Sequence, residues 1–301
     1  MFRDICYRMA WFFTVVWGAS WLGAVHDLGD SLATFRPIWL AAALICAGLA
    51  WPIRRRRGAA IVAMLGTVGF GVTAMTWGAG LPGLQVQAQG APSFRLYQNN
   101  LFFAQSDHSL TLANIAALSP DVITFQEVSQ NKRSLLEELR ADYPHQAFCR
   151  YGAVGAVMVL SRLPATDTKP LCLYPMGLVA LQVETPGGPV WVVSVHAKWP
   201  YPFNDPAQVN YMETALAKLE GEIVMAGDFN MVAGTHRLRR LARAAGVTRM
   251  GPWVPTFRLP SGPEWWRYPI QIDHVFTTMD AKVRSAPDSG SDHVPLVADL
   301  W

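Results

Sequence analysis

Gly227-Asp228-Phe229-Asn230 follows directly on the apolar run Glu222-Ile223-Val224-Met225-Ala226, and Ser291-Asp292-His293 leads directly into Val294-Pro295-Leu296-Val297. Each stretch delivers an acid and a polar partner to the mouth of a buried strand. Carboxylates there are costly to desolvate unless a cation compensates them, and a divalent metal is the usual compensation. Other segments follow the same plan. Val122-Ile123-Thr124-Phe125 ends in Gln126-Glu127, Trp191-Val192-Val193-Ser194-Val195 ends in His196, and Gln271-Ile272-Asp273-His274-Val275-Phe276 carries Asp273 inside an apolar run. Upstream, Phe94–Leu101 ends in the paired amides Asn99 and Asn100. If these strand ends converge, they build a Mg²⁺ site with an acid/base histidine pair, suited to phosphoryl transfer.

The order of these motifs resembles the endonuclease/exonuclease/phosphatase superfamily, which includes DNase I, apurinic endonucleases, sphingomyelinases and inositol-polyphosphate 5-phosphatases. That family runs Asn, Glu in a "QE", His, "GDFN", Asp in "IDH", then "SDH". All six occur here in that order, as Asn100, Gln126-Glu127, His196, Asp228 with Asn230, Asp273, and Asp292-His293. The match spans about residues 92–301. One departure is Asn99, which stands where the family usually has an aromatic residue; Asn100 is taken as the functional amide because Leu101 then continues the strand, with Asn99 as the alternative.

The resemblance implies a four-layer α/β sandwich, two packed mixed sheets flanked by helices. It further implies Mg²⁺, with Mn²⁺ as an alternative, held by Asn100, Glu127 and Asp292. His293, with its tautomer set by Asp273, stabilises or deprotonates the attacking water. Asp228 shares the proton handling and Asn230 orients water or a phosphate oxygen. His196 donates to the phosphoryl group or protonates the leaving oxygen. His274 neighbours Asp273 and points to the opposite face of its strand, which reads as structural.

Two loops suit substrate binding. Lys198 and Trp199 open an aromatic, Pro-stiffened loop after His196, and Trp266 and Arg267 lie in a second aromatic-basic loop before Asp273. Such loops stack bases or contact lipid headgroups, and a plainly packed loop is the alternative reading. Arg237, Arg239, Arg240 and Arg243 share a predicted helix, where a solvated face and a phosphate-binding face are the two readings.

The front of the chain differs in kind. The 301 residues are 51% hydrophobic, and the excess lies before residue 90. Residues 9–25, 37–53 and 58–84 contain no Asp, Glu, Lys or Arg. They read as three transmembrane helices in an anchor of residues 1–90, the first two near the short end for a span. A cleaved signal peptide is the competing reading of the first. Arg3, Arg8 and the run Arg54–Arg57 place the N-terminus and the second loop in the cytoplasm by the positive-inside rule. An odd number of crossings then puts the hydrolytic domain, residues 91–301, outside the cytoplasm, on a multi-pass protein of the cell inner membrane with a periplasmic catalytic domain.

Of the net charge of +3, residues 1–90 hold 7 Lys/Arg against 3 Asp/Glu, and residues 91–301 hold 18 against 19. The basic balance thus belongs to the anchor. The catalytic domain lacks the broad positive field of a tight nucleic-acid binder. Expected partners are a phosphate-ester substrate, nucleic acid first and phospholipid second, and the lipid bilayer; no protein partner is implied. Cys149 and Cys172 flank the predicted strand Ala153–Leu160, and a disulfide and two free thiols are both open. Predicted helices cover Asn131–Leu139, Pro206–Leu219 and Thr235–Ala245, by apolar residues at steps of three and four.

Overall fold

The computed structural model describes residues 1–50, 56–77, 90–259 and 268–301. The chain divides into two compact units. The smaller comprises Met1–Leu81 with Pro200–Asn204 and Met231–Arg239, and the larger comprises Pro82–Trp199, Asp205–Asn230 and Arg240–Trp301.

The smaller unit contains helices α1 (Phe2–Ala19), α2 (Leu28–Ala33), α3 (Arg36–Ala50) and α4 (Arg56–Trp77). Among the described residues, one helix, Arg57–Trp77, is long and apolar enough to cross a membrane. α3 has 15 residues, and α1 carries Arg3, Asp4 and Arg8 in its first half. The end of the predicted third span, residues 78–84, and Arg54 and Arg55 of the arginine run lie outside the described residues. Phe12, Val15, Ile45, Met64, Val68 and Phe70 are exposed on these helices, an apolar exterior that water does not favour.

Asp30 and Arg36, which the sequence places in the connection between the first two apolar segments, are both about 1% exposed. Asp30 Oδ1 and Oδ2 accept the backbone N–H groups of His236, at 2.6 Å, and Arg237, at 3.0 Å. A carboxylate there satisfies two of the donors that a helix leaves open at its N-terminus. Gly23 makes the approach possible, since a Cβ there would lie 2.2 Å from Asp30 Oδ1. Arg36 donates to Ser20 Oγ at 3.0 Å and Ser20 O at 2.7 Å, and its guanidinium lies 3.7 Å from the centre of the Trp21 ring.

The larger unit is built on two mixed sheets. Its elements are β1 (Phe94–Asn100), α5 (Ser109–Leu118), β2 (Val122–Gln126), α6 (Arg133–Leu139), β3 (His145–Gly152), β4 (Gly155–Ser161), β5 (Leu171–Leu173), β6 (Leu178–Thr185), β7 (Gly188–His196), α7 (Pro206–Leu216), β8 (Glu222–Asp228), α8 (His236–Ala244), β9 (Thr248–Met250), β10 (Phe257–Leu259), β11 (Tyr268–Ile270), β12 (Asp273–Thr277), β13 (Ala281–Ser285) and β14 (Leu296–Leu300). α8 begins in the smaller unit and ends in this one.

The first sheet has the order β13-β14-β1-β2-β4-β3 and the second β5-β6-β7-β8-β12-β9; β10 and β11 form a separate ribbon. Only β1/β2 and β7/β8 pair in parallel among the described strands. The expected sandwich of two mixed sheets flanked by helices is therefore present.

Strand alternation assigns the faces. Leu96, Val122, Val157 and Val159 point between the sheets, where they meet Val179, Leu181, Val192, Val224, Ala226 and Val275. Their neighbours Tyr97, Ile123, Phe125, Met158 and Leu160 point outward beneath Ile115 of α5 and Leu135 and Leu139 of α6. α7 starts at Asp205, whose side chain accepts the Ala207 N–H at 3.1 Å, with Pro206 opening the first turn, a favoured N-terminal sequence. α5 and the edge strand β3 have no counterpart in the sequence reading. The sequence of β3, HQAFCRYG, offers no continuous apolar run.

Cys149 of β3 and Cys172 of β5 are disulfide-bonded, so the bridge ties an edge of one sheet to an edge of the other. For a closed loop of this length such a cross-link stabilises by about 3 kcal/mol. Replacing both cysteines by serine should lower the thermal unfolding midpoint by several degrees while leaving the fold intact; an unchanged midpoint would show that the bridge adds no stability.

Candidate active site

The face alternation that builds the core also delivers the polar groups. On β1, Leu96, Gln98 and Asn100 share the inner face; on β7, Val192, Ser194 and His196 do; on β8, Val224, Ala226 and Asp228 do. β7 and β8 pair in parallel with His196 opposite Asp228, and β12 pairs antiparallel to β8 with Asp273 opposite Asp228. Register alone therefore sets these three side chains level at one end of the sheet.

The Asp228 carboxylate, 1% exposed, is the hub. Its Oδ2 lies 3.0 Å from Asn100 Nδ2, 3.2 Å from Asn230 Nδ2, 3.6 Å from His196 Nε2 and 3.8 Å from His293 Nε2. Its Oδ1 accepts the Asn230 backbone N–H at 2.8 Å. Asn230 reaches this position with φ of 51°, a left-handed conformation that costs a non-glycine residue energy. Its Nδ2 also donates to Ala197 O at 2.8 Å, tying the turn to the residue after His196.

Glu127 also sits at positive φ, 56°, so the chain leaves β2 sharply and swings the carboxylate toward the hub. Its Oε1 lies 3.2 Å from Asn100 Nδ2 and 3.8 Å from His196 Nε2, and its Oε2 accepts the Phe103 N–H at 2.7 Å. Asn100, not Asn99, is thus the amide in the site. Asn99 faces the other side of β1, with its Oδ1 3.5 Å from Ser289 Oγ.

His293 Nδ1 lies 2.8 Å from Asp273 Oδ2, and both residues are buried. Ser291 accepts the His293 backbone N–H at 3.1 Å and donates to Asn100 O at 2.6 Å, which pins the SDH turn to the end of β1. His274 lies on the other face of β12, 5.9 Å from the Phe229 ring.

The two histidines are driven apart electrostatically. Burial pushes the His196 imidazole down to about 3, and the neighbouring His293 adds to the shift. Burial also opposes protonation of His293, but Asp273 and Asp228 outweigh it and lift that imidazole to about 10. Burial raises the Asp228 and Glu127 carboxyl groups above the usual range. These directions follow from desolvation and neighbouring charge together.

Glu127, His196 and Asp228 bring one ligand atom each within 4.8 Å of one another, and Asp228, Asp273 and His293 do the same. Two close carboxylates, without a Lys or Arg ion pair to Glu127 or Asp228 among the described residues, form an oxygen donor pair that fits a hard divalent cation, whereas Asn100 turns its Nδ2 to both carboxylates and its Oδ1 to the Phe102 N–H. Asp292, expected among the ligands, is exposed, with Ser291 Oγ 3.4 Å from its Oδ1. The structure does not bring it into either cluster.

The expected substrate-binding residues divide. The Trp199 ring lies 6.0 Å from that of Phe257, tilted by 58°, and the Phe257 ring lies 4.8 Å from His293. Lys198 is instead paired with Asp205 at 2.9 Å. Trp266 and Arg267 lie outside the described residues. Of the α8 arginines, Arg240 is ion-paired to Glu213 and donates to Asn210 Oδ1 at 2.8 Å, and Arg239 donates to Gly234 O at 3.0 Å. The sequence reading passed over Phe257, over Tyr151, whose ring lies 4.8 Å from His196, and over Gln98, which donates to Asp273 Oδ1 at 2.9 Å. Only for Gln98 was there a signal, its parity with Asn100.

No curated protein matches the chain in sequence. Among solved structures, an endonuclease/exonuclease/phosphatase family protein from Leptotrichia buccalis superposes with a TM-score of 0.53 at 15% identity, covering 69% of this chain and 99% of that one. Sphingomyelinase C from Streptomyces griseocarneus does so with a TM-score of 0.51 at 13% identity, covering 68% and 98%. Both likenesses are of fold. The model of the Endonuclease/Exonuclease/phosphatase family matches residues 100–293, from the amide at the end of β1 to the histidine of the SDH turn, and the chain belongs to that family.

Proposed function

We propose that this protein is a membrane-anchored, divalent-metal-dependent phosphodiesterase whose catalytic unit faces away from the cytoplasm. The observation that carries the hydrolytic reading is the convergence of Asn100, Glu127, His196, Asn230 and His293 on the buried Asp228 carboxylate. Glu127 would hold the cation, Mg²⁺ by preference, with Asp228 beside it and Asn100 donating to both carboxylates. When bound, it would neutralise charge on the phosphoryl oxygens.

The chain's own groups divide the remaining work. Asp228, kept basic by its buried setting, takes a proton from the attacking water as the new oxygen–phosphorus bond forms. His293, held cationic against Asp273, donates to a phosphoryl oxygen as negative charge builds there. It then passes a proton to the leaving oxygen as the ester bond breaks. His196 stays neutral and packs the wall between Glu127 and Tyr151. Asn230 orients Asp228 through two hydrogen bonds.

The substrate reading turns on charge. Nucleic acid was the first expectation, yet Lys198, Arg239 and Arg240 are each engaged within the protein, and the catalytic residues 91–301 carry no excess of cations. A phosphodiester of a membrane lipid needs no long cationic track, and the apolar exterior of α1, α3 and α4 supports a bilayer location. We therefore favour a phospholipid headgroup, with nucleic acid second. The disulfide favours an oxidising compartment. The hydrogen bonds from His236 and Arg237 to Asp30 favour the same side of the membrane for the α1–α3 connection and for the start of α8.

Full-length protein in detergent, supplied with Mg²⁺, should release headgroup phosphate from phospholipid vesicles at a higher kcat/KM than it cleaves single-stranded or duplex DNA or RNA. The reverse ranking restores the nucleic-acid reading. Activity on neither, nor on bis-p-nitrophenyl phosphate, overturns the phosphodiesterase. Glu127→Gln should weaken Mg²⁺ binding and reduce turnover by at least 100-fold with little change in unfolding temperature. Wild-type metal affinity in that variant would take Glu127 out of the cation site.

Asp273→Asn and His293→Ala should each reduce turnover severely, and the double variant should fall little below either, because groups acting as a unit are non-additive. Multiplying losses would separate the pair. For topology, C-terminal fusions should give active alkaline phosphatase and a dark cytoplasmic fluorescent reporter. The opposite pattern would put the site in the cytosol.

A further inference from the structure

Below the mouth of the site, a second layer of polar side chains is buried between the sheets. Gln98, Gln126 and Ser194 are each 0% exposed. Gln98 Nε2 donates to Gln126 Oε1 at 3.0 Å and to Asp273 Oδ1 at 2.9 Å. Gln126 Nε2 donates to Ser194 Oγ at 2.9 Å, and Ser194 Oγ donates to Phe125 O at 3.1 Å. Gln98, Phe125 and Gln126 belong to the first sheet, Ser194 and Asp273 to the second, so the chain of bonds crosses the sandwich three times.

Its polarity is determined throughout. Turning the Gln98 amide over would set its oxygen against two acceptors, Gln126 Oε1 and Asp273 Oδ1. The orientation that avoids this leaves Gln98 Oε1 buried without a hydrogen-bond partner. A buried amide chosen for stability alone satisfies both ends. Here the acceptor end is forfeited so that both N–H groups are spent, one of them on a carboxylate whose other oxygen binds His293 Nδ1 at 2.8 Å.

We propose that Gln98 is a positioning residue for the Asp273–His293 pair: by holding Asp273 Oδ1 it fixes the carboxylate plane that aims Oδ2 at the His293 ring. Gln126 and Ser194 hold Gln98 in turn. Side chains also anchor the Asp273 backbone, whose N–H donates to Thr256 Oγ1 at 3.1 Å and whose carbonyl accepts from Gln271 Nε2 at 3.4 Å, and both bonds leave the side-chain rotation free. Without the Gln98 bond the carboxylate turns about its last torsion and His293 loses its fixed direction. Partners of this outer kind are worth about 10- to 100-fold when removed. The role rests on the phosphodiesterase reading.

The test uses full-length protein in detergent with Mg²⁺ and bis-p-nitrophenyl phosphate. Gln98→Met, similar in length and without a donor, should reduce kcat about 10- to 100-fold and leave KM and the Mg²⁺-induced thermal shift unchanged. Combined with Asp273→Asn it should cause no further loss. Gln98→Glu keeps the shape but donates only while protonated, so its activity relative to wild type should climb as pH falls. An unchanged kcat in Gln98→Met, multiplying losses with Asp273→Asn, or a flat ratio for Gln98→Glu would each overturn the role.

If Gln98→Met does not fold, the pH profile of Gln98→Glu decides alone. If the wild type hydrolyses no phosphodiester, the function falls but the positioning is still measurable. The low-field proton resonance of His293 Nδ1–H should shift in Gln98→Glu, and an unmoved resonance would sink the proposal.

Discussion

A carboxylate at 1% exposure surrounded by other acids is the constraint on which this molecule turns. Asp228 has no Lys or Arg partner among the described residues; the groups within reach are two amides, two imidazoles and the acids Glu127 and Asp273. Isolated, such a group would simply take up a proton. It is instead given directional donors, Asn100 and Asn230, and a histidine made cationic by a second acid. What charge remains suits a divalent cation. The strand ends must therefore be held within fractions of an ångström, and much of the architecture of the larger unit can be read as the means of doing so.

The means are of three kinds. Backbone register aligns His196, Asp228 and Asp273 across β7, β8 and β12 without any side-chain choice. Local strain does the next part, with Glu127 and Asn230 both held at positive φ; energy spent there turns two side chains toward one point. The third is the polar layer of Gln98, Gln126 and Ser194, which joins one sheet to the other under the site. Apolar packing between sheets is non-directional. A hydrogen bond across them is directional, and here it ends on the carboxylate that orients His293.

The legible part of this was what depends on alternation and on strand ends. GDFN and SDH, read with the apolar runs beside them, located the site, and parity correctly assigned His274 to the far face. Asn99 and Asn100 could not be separated by composition, because only the absolute facing of β1 distinguishes them. Parity with Leu96, an inter-sheet residue, resolves it. The placing of Asp292 was not legible for a similar reason. It sits beside His293 in a turn, where two-residue alternation does not apply, and the inward position goes to the histidine. β3 escaped notice because an edge strand needs only one apolar face, and HQAFCRYG buries just Ala147 and Cys149 among its residues. The disulfide was undecidable from sequence, since only the stacking of the two sheets brings those edge strands together.

The front of the chain gains a second meaning from Asp30 and Arg36. A simple tether would carry charges only to orient itself in the bilayer. These two are buried, and Asp30 is occupied with the first backbone donors of α8. Buried charge is retained at a cost that exposed charge avoids, so a residue spent this way argues for a defined geometry in the smaller unit. Within that unit, residues 231–239 begin at the position after Asn230. Helices α1 to α4 and the segment leaving the GDFN turn therefore share one folding unit, and Asp30 has a structural reason to be an acid that is independent of membrane orientation.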